Sequence, residues 1–308
     1  MNQRVLIMGG NGFIGRSLTD YLLEQNKTVG VYDLFSGEME NVSYFSGDLM
    51  QDERLEQILT NYDSVIYLIS TVTPKRSMEI PSAAYEKDIP MLLKTLDACV
   101  KAGVKRVIFA SSGGTVYGEG EGRRLTEDAE CNPVNHYAIA KLAMEKILLF
   151  YNERFGMENV ILRIANPYGM NQKTSSGVGA LTIFTRQILA SKPITLYSDP
   201  ETIRDYISVK EVARAFGLAL EYELEKGVAP LFNVGSGKGY SLRELIHIIE
   251  ETLGEKAEVN VIEARGYDVK CNILDTEKAE RSLKFHAIED PLSSMKNYIK
   301  ECTKQKEE

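Results

Sequence analysis

The sequence predicts an α/β protein: a doubly wound parallel sheet followed by a smaller C-terminal α/β lobe. Two observations carry this. Short apolar, β-branched runs alternate with longer amphipathic segments, the pattern of strands buried on both faces and joined by crossover helices. A glycine-rich turn also sits between the first strand and the first helix, where such folds bring the backbone close to a ligand.

In chain order the strands are "RVLIMGG", "KTVGVYDL", "DSVIYLIS", "KRVIFASS" and "NVILRIAN", each ending in Gly, Asp, Ser or Asn. "RSLTDYLLEQ", "AAYEKDIPMLLKTLDACVKAG" and "YAIAKLAMEKILLFYNERFG" are the amphipathic helices between them. Beyond "RIANPYGMNQKTSSGVG" the rhythm turns irregular: a helix at "ALTIFTRQILASK", short strands, "LFNVGSGKGYSLRELIHIIEETLG" and a last helix near "PLSSMKNYIKEC". No hydrophilic linker separates the halves. The expected division is residues 1–165 for the first domain and 166–308 for the second, with some segments of the second returning to the first.

With 308 residues, 44% apolar and 26% charged, the composition is that of a globular chain with a sizeable core. A formal charge of -8 argues against a nucleic-acid binder. The four cysteines, Cys99, Cys131, Cys271 and Cys302, are scattered, and three histidines are too few for a zinc site, so no metal is expected. The opening "MNQRVLIMGGNG" has too short an apolar run for a signal peptide, and no stretch reaches the roughly 18 apolar residues of a membrane span. A cytoplasmic protein without membrane partners is expected.

"VLIMGGNGFIGRSL" places Gly9, Gly12 and Gly15 between strand and helix. Glycines permit the tight turn and close approach of backbone to a pyrophosphate, which the helix N-terminus attracts. Asp33 ends the next strand, where a carboxylate accepts from the adenosine ribose hydroxyls and repels a 2′-phosphate. This Rossmann arrangement predicts NAD rather than NADP. The similar "FNVGSGKGYSLREL" has Gly239 where a phosphate loop needs Ser or Thr, and it reads as a structural turn.

A tyrosine four residues before a lysine occurs at Tyr137/Lys141, Tyr206/Lys210 and Tyr222/Lys226. On a helix this spacing puts both side chains on one face, and an ammonium there favours phenolate. Bringing a phenol from about 10 to about 7 also calls for the cation of an oxidised nicotinamide. Tyr137/Lys141 opens a helix after "KRVIFASSGGTVYG", whose strand end borders the expected cofactor. Tyr222/Lys226 reads as solvated surface at a charged helix end, and Tyr206/Lys210 as an extended segment with its side chains apart.

"GGNGFIG", Asp33, "GDL" at Gly47 to Leu49, "SSGGTVYG", "YAIAK", "NPYG", "RDYI", "NVGSGKGYS" and "RGYDVKCNILD" together cover nearly the whole chain. On these the sequence resembles the extended short-chain dehydrogenases/reductases, in the branch of the nucleotide-sugar 4-epimerases typified by UDP-glucose 4-epimerase. The resemblance implies that Tyr137 is the base and that Lys141 holds the nicotinamide ribose. It implies Phe13, Ile14, Leu68 and Ser70 as cofactor contacts, with Asp48 and Leu49 flanking the adenine. Asn166 would position substrate or the nicotinamide region. Arg204 and Arg265 would clamp the diphosphate of a UDP-sugar, with Asp268 on the uridine ribose side, and a homodimer would form through the helices carrying "AAYEKDIPMLL" and "YAIAKLAMEK".

There are departures. Gly113 stands where a Ser or Thr is common, so the hydroxyl assisting Tyr137 comes from Ser112 or Thr115. Asp88 replaces an Asn whose hydrogen bond would help support the active-site strand, and reads instead as a helix cap. Related dehydratases carry Asp-Glu before "VYG", where this chain has Gly114 and Thr115; decarboxylating relatives carry Glu at the Thr115 position; Asp33 disfavours NADPH-consuming reductases. What remains is epimerisation at C4 of a UDP-hexose through a transient 4-keto sugar. Asn272, four residues after Asp268, stands where a bulky Tyr would restrict the pocket, so UDP-GlcNAc/GalNAc is expected beside UDP-Glc/Gal. The alternatives are another nucleotide-sugar enzyme of the superfamily, such as a UDP-uronate epimerase or decarboxylase, a dehydratase or a reductase, and a non-catalytic NAD-binding sensor.

Overall fold

The structure, a computed structural model, describes residues 3–174, 177–262 and 269–307. The chain opens with β1 (Arg4–Met8), α1 (Phe13–Glu24), β2 (Thr28–Asp33) and β3 (Val42–Ser46). Next come α2 (Leu55–Leu59), β4 (Ser64–Tyr67) and α3 (Pro74–Glu79). A π-helical turn at Ala84–Asp88 runs into α4 (Ile89–Ala102) and β5 (Arg106–Ser112). The short α5 (Gly113–Val116), β6 (Arg124–Leu125), the long α6 (His136–Phe155), β7 (Val160–Ile164) and β8 (Asn166–Tyr168) follow.

The remainder comprises α7 (Ala180–Leu189), β9 (Ile194–Leu196), β10 (Ile203–Ser208), α8 (Val209–Glu221), β11 (Leu231–Val234) and β12 (Gly239–Ser241). It ends with α9 (Leu242–Leu253), β13 (Val259–Val261), β14 (Cys271–Leu274), α10 (Glu277–Leu283) and α11 (Pro291–Glu307).

Seven strands form one parallel sheet in the order β11-β7-β5-β4-β1-β2-β3. Its inner strands are largely apolar because helices cover both faces: every residue of β4 and β7 is buried, Ser64 and Arg163 included. On one face Val5, Ile7 and Ile108 meet Leu18 and Leu22 of α1 and Phe216 of α8. On the other Leu6 and Met8 meet Ile58 of α2, Leu96 of α4 and Leu148 of α6. The strand order reverses at β1/β4, so a crevice opens beyond the carboxyl ends of these strands, the place where such sheets bind ligands.

A second sheet, β12-β10-β14-β6 with β8 alongside β10, belongs to the smaller lobe, as does the pair β13-β9. Helices α7, α9 and α11 cover a separate core built from residues such as Phe184, Ile249 and Ile299. The chain thus has the expected class: a Rossmann-type sheet with a smaller C-terminal α/β lobe.

Tyr222 departs from expectation. It is buried, its ring 5.1 Å from that of Phe232, because the chain turns inward as α8 ends and returns to the sheet as β11. The "GSGKG" turn spends its donors on Asp205, which accepts from the Ser236 and Gly237 N–H groups and from the Ser236 hydroxyl.

Candidate active site

The glycine turn joins β1 to α1. Gly9 has φ +84°, a conformation costly for other residues. A Cβ on Gly15 would lie 2.5 Å from the Gly10 carbonyl oxygen, so only glycine lets α1 seat this close to the turn. No side chain caps α1, which leaves its first-turn N–H groups, around Phe13 and Ile14, for an anion. Asp33 ends β2 and accepts from the Asn11 N–H at 3.0 Å and the Leu34 N–H at 2.7 Å. These bonds fix the carboxylate beside the turn and leave lone pairs for ribose hydroxyls. The cradle, the uncapped helix and the acidic strand end fit NAD.

Leu68 borders this turn, since a Cβ on Gly9 would lie 3.3 Å from the Leu68 carbonyl carbon. Leu49 is buried in the core under β2 and β4, while Asp48 is exposed, with its carboxylate accepting from the Met50 N–H. Ser70 donates to Asp88 at 3.1 Å.

The Tyr137/Lys141 pair occupies the first turns of α6, which begins there because the Asn135 side chain accepts from the Ala138 N–H. Lys141 is buried, donates to the Ala110 carbonyl of β5 at 2.9 Å, and lies 5.7 Å from the Tyr137 ring centroid. Burial pulls Lys141 down to about 8, against the raising influence of Asp88 and Glu145. Tyr137 is pushed up to about 12, chiefly by burial; a hydrogen bond with the Ser112 hydroxyl opposes this and Asp88 reinforces it. The expected fall of the phenol toward neutrality is therefore not achieved by the lysine alone. Burial, reinforced by Asp88, outweighs the hydrogen bond from Ser112.

Ser112 ends β5 and meets Tyr137, whereas the Thr115 hydroxyl turns back to the Ser112 carbonyl at 3.5 Å. Gly113 has a local reason: a Cβ there would come 2.6 Å from Leu274 Cδ1 and 2.9 Å from the Arg163 carbonyl oxygen. Asp88 does not cap α4. Its backbone is already helical, and its carboxylate instead accepts from the Ser70 hydroxyl and from the N–H and hydroxyl of Thr71.

A cavity of about 540 Å³ includes Lys75 of α3, Asn166, Tyr197, Arg204 and Tyr206; Ser112, Tyr137 and Lys141 do not line it, and it approaches them through Asn166, whose Nδ2 would lie 3.4 Å from a Cβ on Gly114. Asn166 is anchored through its Nδ2 to the Asp205 carbonyl at 2.9 Å, and Arg204 donates to the Ile203 carbonyl. Asn272 is fully buried: its Nδ2 donates to the Gly113 carbonyl at 3.1 Å, and its Oδ1 has no partner among the described residues. Arg265 and Asp268 lie outside the described residues. Lys75 and Tyr197 belong to no sequence motif; only the packing of α3 and β9 beside the cavity reveals them.

A sheet crevice with a glycine cradle, an acidic strand end and a Ser–Tyr–Lys set defines a nicotinamide-dependent enzyme of the short-chain dehydrogenase/reductase type. The chain belongs to the NAD dependent epimerase/dehydratase family, whose model matches residues 5–235. It is 31% identical over 284 residues to a putative UDP-glucose 4-epimerase of Methanocaldococcus jannaschii, covering 90% of this chain and 91% of that one. Among solved structures it resembles the UDP-glucose 4-epimerase of Thermus thermophilus in complex with NAD, with a TM-score of 0.88, 32% identity, and coverage of 97% and 98% of the two chains. It also resembles the UDP-N-acetylglucosamine 4-epimerase of Methanobrevibacter ruminantium in complex with UDP-N-acetylmuramic acid, with a TM-score of 0.89, 30% identity and 99% of each chain covered.

Proposed function

We propose that the protein is an NAD-dependent epimerase that inverts C4 of a UDP-hexose. The observation that carries this is the meeting of Ser112, Tyr137 and Lys141 at the end of β5, with Asn166 and Arg204 on the adjoining cavity. Gly9, Gly12, Gly15, Phe13 and Ile14 would hold the pyrophosphate, Asp33 the adenosine ribose and Lys141 the nicotinamide ribose; Asp48, Leu49, Leu68 and Ser70 would line the rest. Bound there, NAD supplies a reversible hydride acceptor. Tyr137 accepts the proton of the sugar 4-hydroxyl and gives it back once the 4-keto sugar has presented its other face. Ser112 orients the sugar oxygen. Lys141 holds a positive charge beside the phenol, and Arg204, with Arg265, retains the diphosphate while the sugar turns.

Tyr137→Phe is expected to lower turnover by roughly 10²- to 10⁴-fold while NAD and UDP still bind. Full turnover by that variant would overturn the assignment. UDP-GlcNAc/GalNAc is expected to serve beside UDP-Glc/Gal, because the modest Asn272 side chain is bonded to Gly113 and does not line the cavity. Parallel assays of both pairs check this. Lys75 favours a second reading, a UDP-uronate substrate, since its ammonium adds a cation to a cavity that already contains Arg204; preferential turnover of UDP-glucuronate would support it.

We further propose a cytoplasmic homodimer. Val100 on α4 and Ile139, Phe150 and Phe155 on α6 expose large apolar side chains, and all four cysteines are free. No helix among the described residues is long and apolar enough to cross a membrane. Sedimentation at the mass of one chain would exclude the dimer.

A further inference from the structure

Asp88 is 1% exposed at the end of the π-helical turn before α4, and that turn packs against the start of α6 through Ala84, Tyr85, Tyr137 and Ala140. Three donors satisfy it: the Ser70 hydroxyl at 3.1 Å, the Thr71 N–H at 2.9 Å and the Thr71 hydroxyl at 2.6 Å. No cation among the described residues stands within ion-pair distance. The neighbouring buried carboxylate, Glu145, is different: Arg163 pairs with it at 2.7 Å. A buried charge left without a partner is costly, and three hydrogen bonds to neutral groups stabilise the anion without neutralising it.

The groups that share its surroundings are Tyr67 of β4 and Tyr137 and Lys141 of α6, Lys141 also facing Glu145, with Tyr85 of its own turn hydrogen-bonded to His136. Glu145 is already paired and Tyr67 is neutral. Among the described residues, Lys141 is therefore the cation left to answer Asp88, at longer range. A carboxylate here hinders ionisation of Tyr137, so it is a poor choice for a site that served the phenol alone.

Resting on the family reading above, we infer that Asp88 is a positioning residue that acts as counter-charge to the oxidised nicotinamide. Its carboxylate favours the cationic, oxidised ring over the neutral, reduced one and keeps Lys141 an ammonium beside Tyr137. The consequence for the reaction is a site that takes hydride from the sugar reluctantly and returns it readily, which suits a cofactor that must end each cycle oxidised.

Equilibrium binding of NAD⁺ and NADH to the purified, cofactor-stripped protein tests this without turnover. Asp88→Asn, which keeps size and most hydrogen-bonding capacity, is expected to shift affinity toward NADH relative to NAD⁺ by roughly tenfold or more. Asp88→Glu, which keeps the charge, is expected to preserve most of the original ratio. In active preparations, Asp88→Asn should also move the acid limb of kcat/KM to lower pH by about one unit.

An unchanged NAD⁺/NADH ratio in Asp88→Asn overturns the inference. Should that variant fail to fold, Asp88→Ser, a smaller neutral replacement, decides: it must likewise shift the ratio toward NADH, and an unchanged ratio overturns the inference equally. Failure to bind either nicotinamide would instead overturn the proposed function itself.

Discussion

Lys141 and Tyr137, the proposed base and its cationic neighbour, show how far the protein alone would carry the chemistry. With the lysine near 8 and the phenol near 12, proton affinities run opposite to those a resting phenolate needs. Burial sets both displacements, with Lys141 buried and Tyr137 half-buried. For Lys141 the folded value lies below the ordinary 10.5. The folded chain thus binds fewer protons than the unfolded chain in that window, and stability rises with pH between about 8 and 10.5. Lys141→Met should consequently raise the melting temperature at neutral pH, by an amount that shrinks above about 8, while removing most activity. Thermal unfolding as a function of pH checks this; a lower melting temperature at neutral pH would show that the bond to Ala110 outweighs desolvation. At the other end of the crevice, Asp33→Ser should narrow the preference for NAD over NADP, read from the two dissociation constants, because the charge that repels a 2′-phosphate is gone.

Among the elements, α6 is tied to the sheet by more than apolar contact. Glu145 accepts from Arg163 of β7 through both carboxylate oxygens and from the Ser111 hydroxyl of β5, and the Arg163 guanidinium lies 4.7 Å from the Tyr117 ring centroid. This network lies one helical turn beyond Lys141 and fixes the helix that carries the site. Glu145→Gln, which leaves Arg163 buried without its anion, is expected to cost about 3–5 kcal/mol, measurable by urea unfolding. Gly113→Ala should cost about 1–3 kcal/mol through overpacking against Leu274 and the Arg163 carbonyl.

The same scale shows what can be read in the residues. Strands β1, β2, β4, β5 and β7 are legible because both faces are covered and the runs are almost wholly apolar. β3, "VSYFS", is not, because an edge strand leaves every one of its five positions exposed or half-exposed and so carries no continuous apolar run. The acidic neighbours of Tyr222 suggest a surface position, yet they say nothing of where the chain goes next. The glycine turn, Asp33 and the Tyr137/Lys141 pair are visible since each obeys a local spacing. Lys75, Tyr197 and the contacts of Asp88 are not, because they arise from segments that only tertiary packing brings together.

For the molecule as a whole, the two lobes are interlaced. After β8 the chain builds much of the small lobe, returns through α8 to cover the face shared with α1, and adds β11 to the edge of the large sheet beside β7. Asp205, on β10 of the small lobe, binds the turn that leaves β11 and the Leu274 N–H of β14. A polypeptide cut after residue 165 would therefore possess the glycine cradle and the Tyr–Lys pair yet leave β7 with an unpaired, largely apolar margin. Such a fragment is a template for strand-to-strand self-association, and expression of it should give insoluble material.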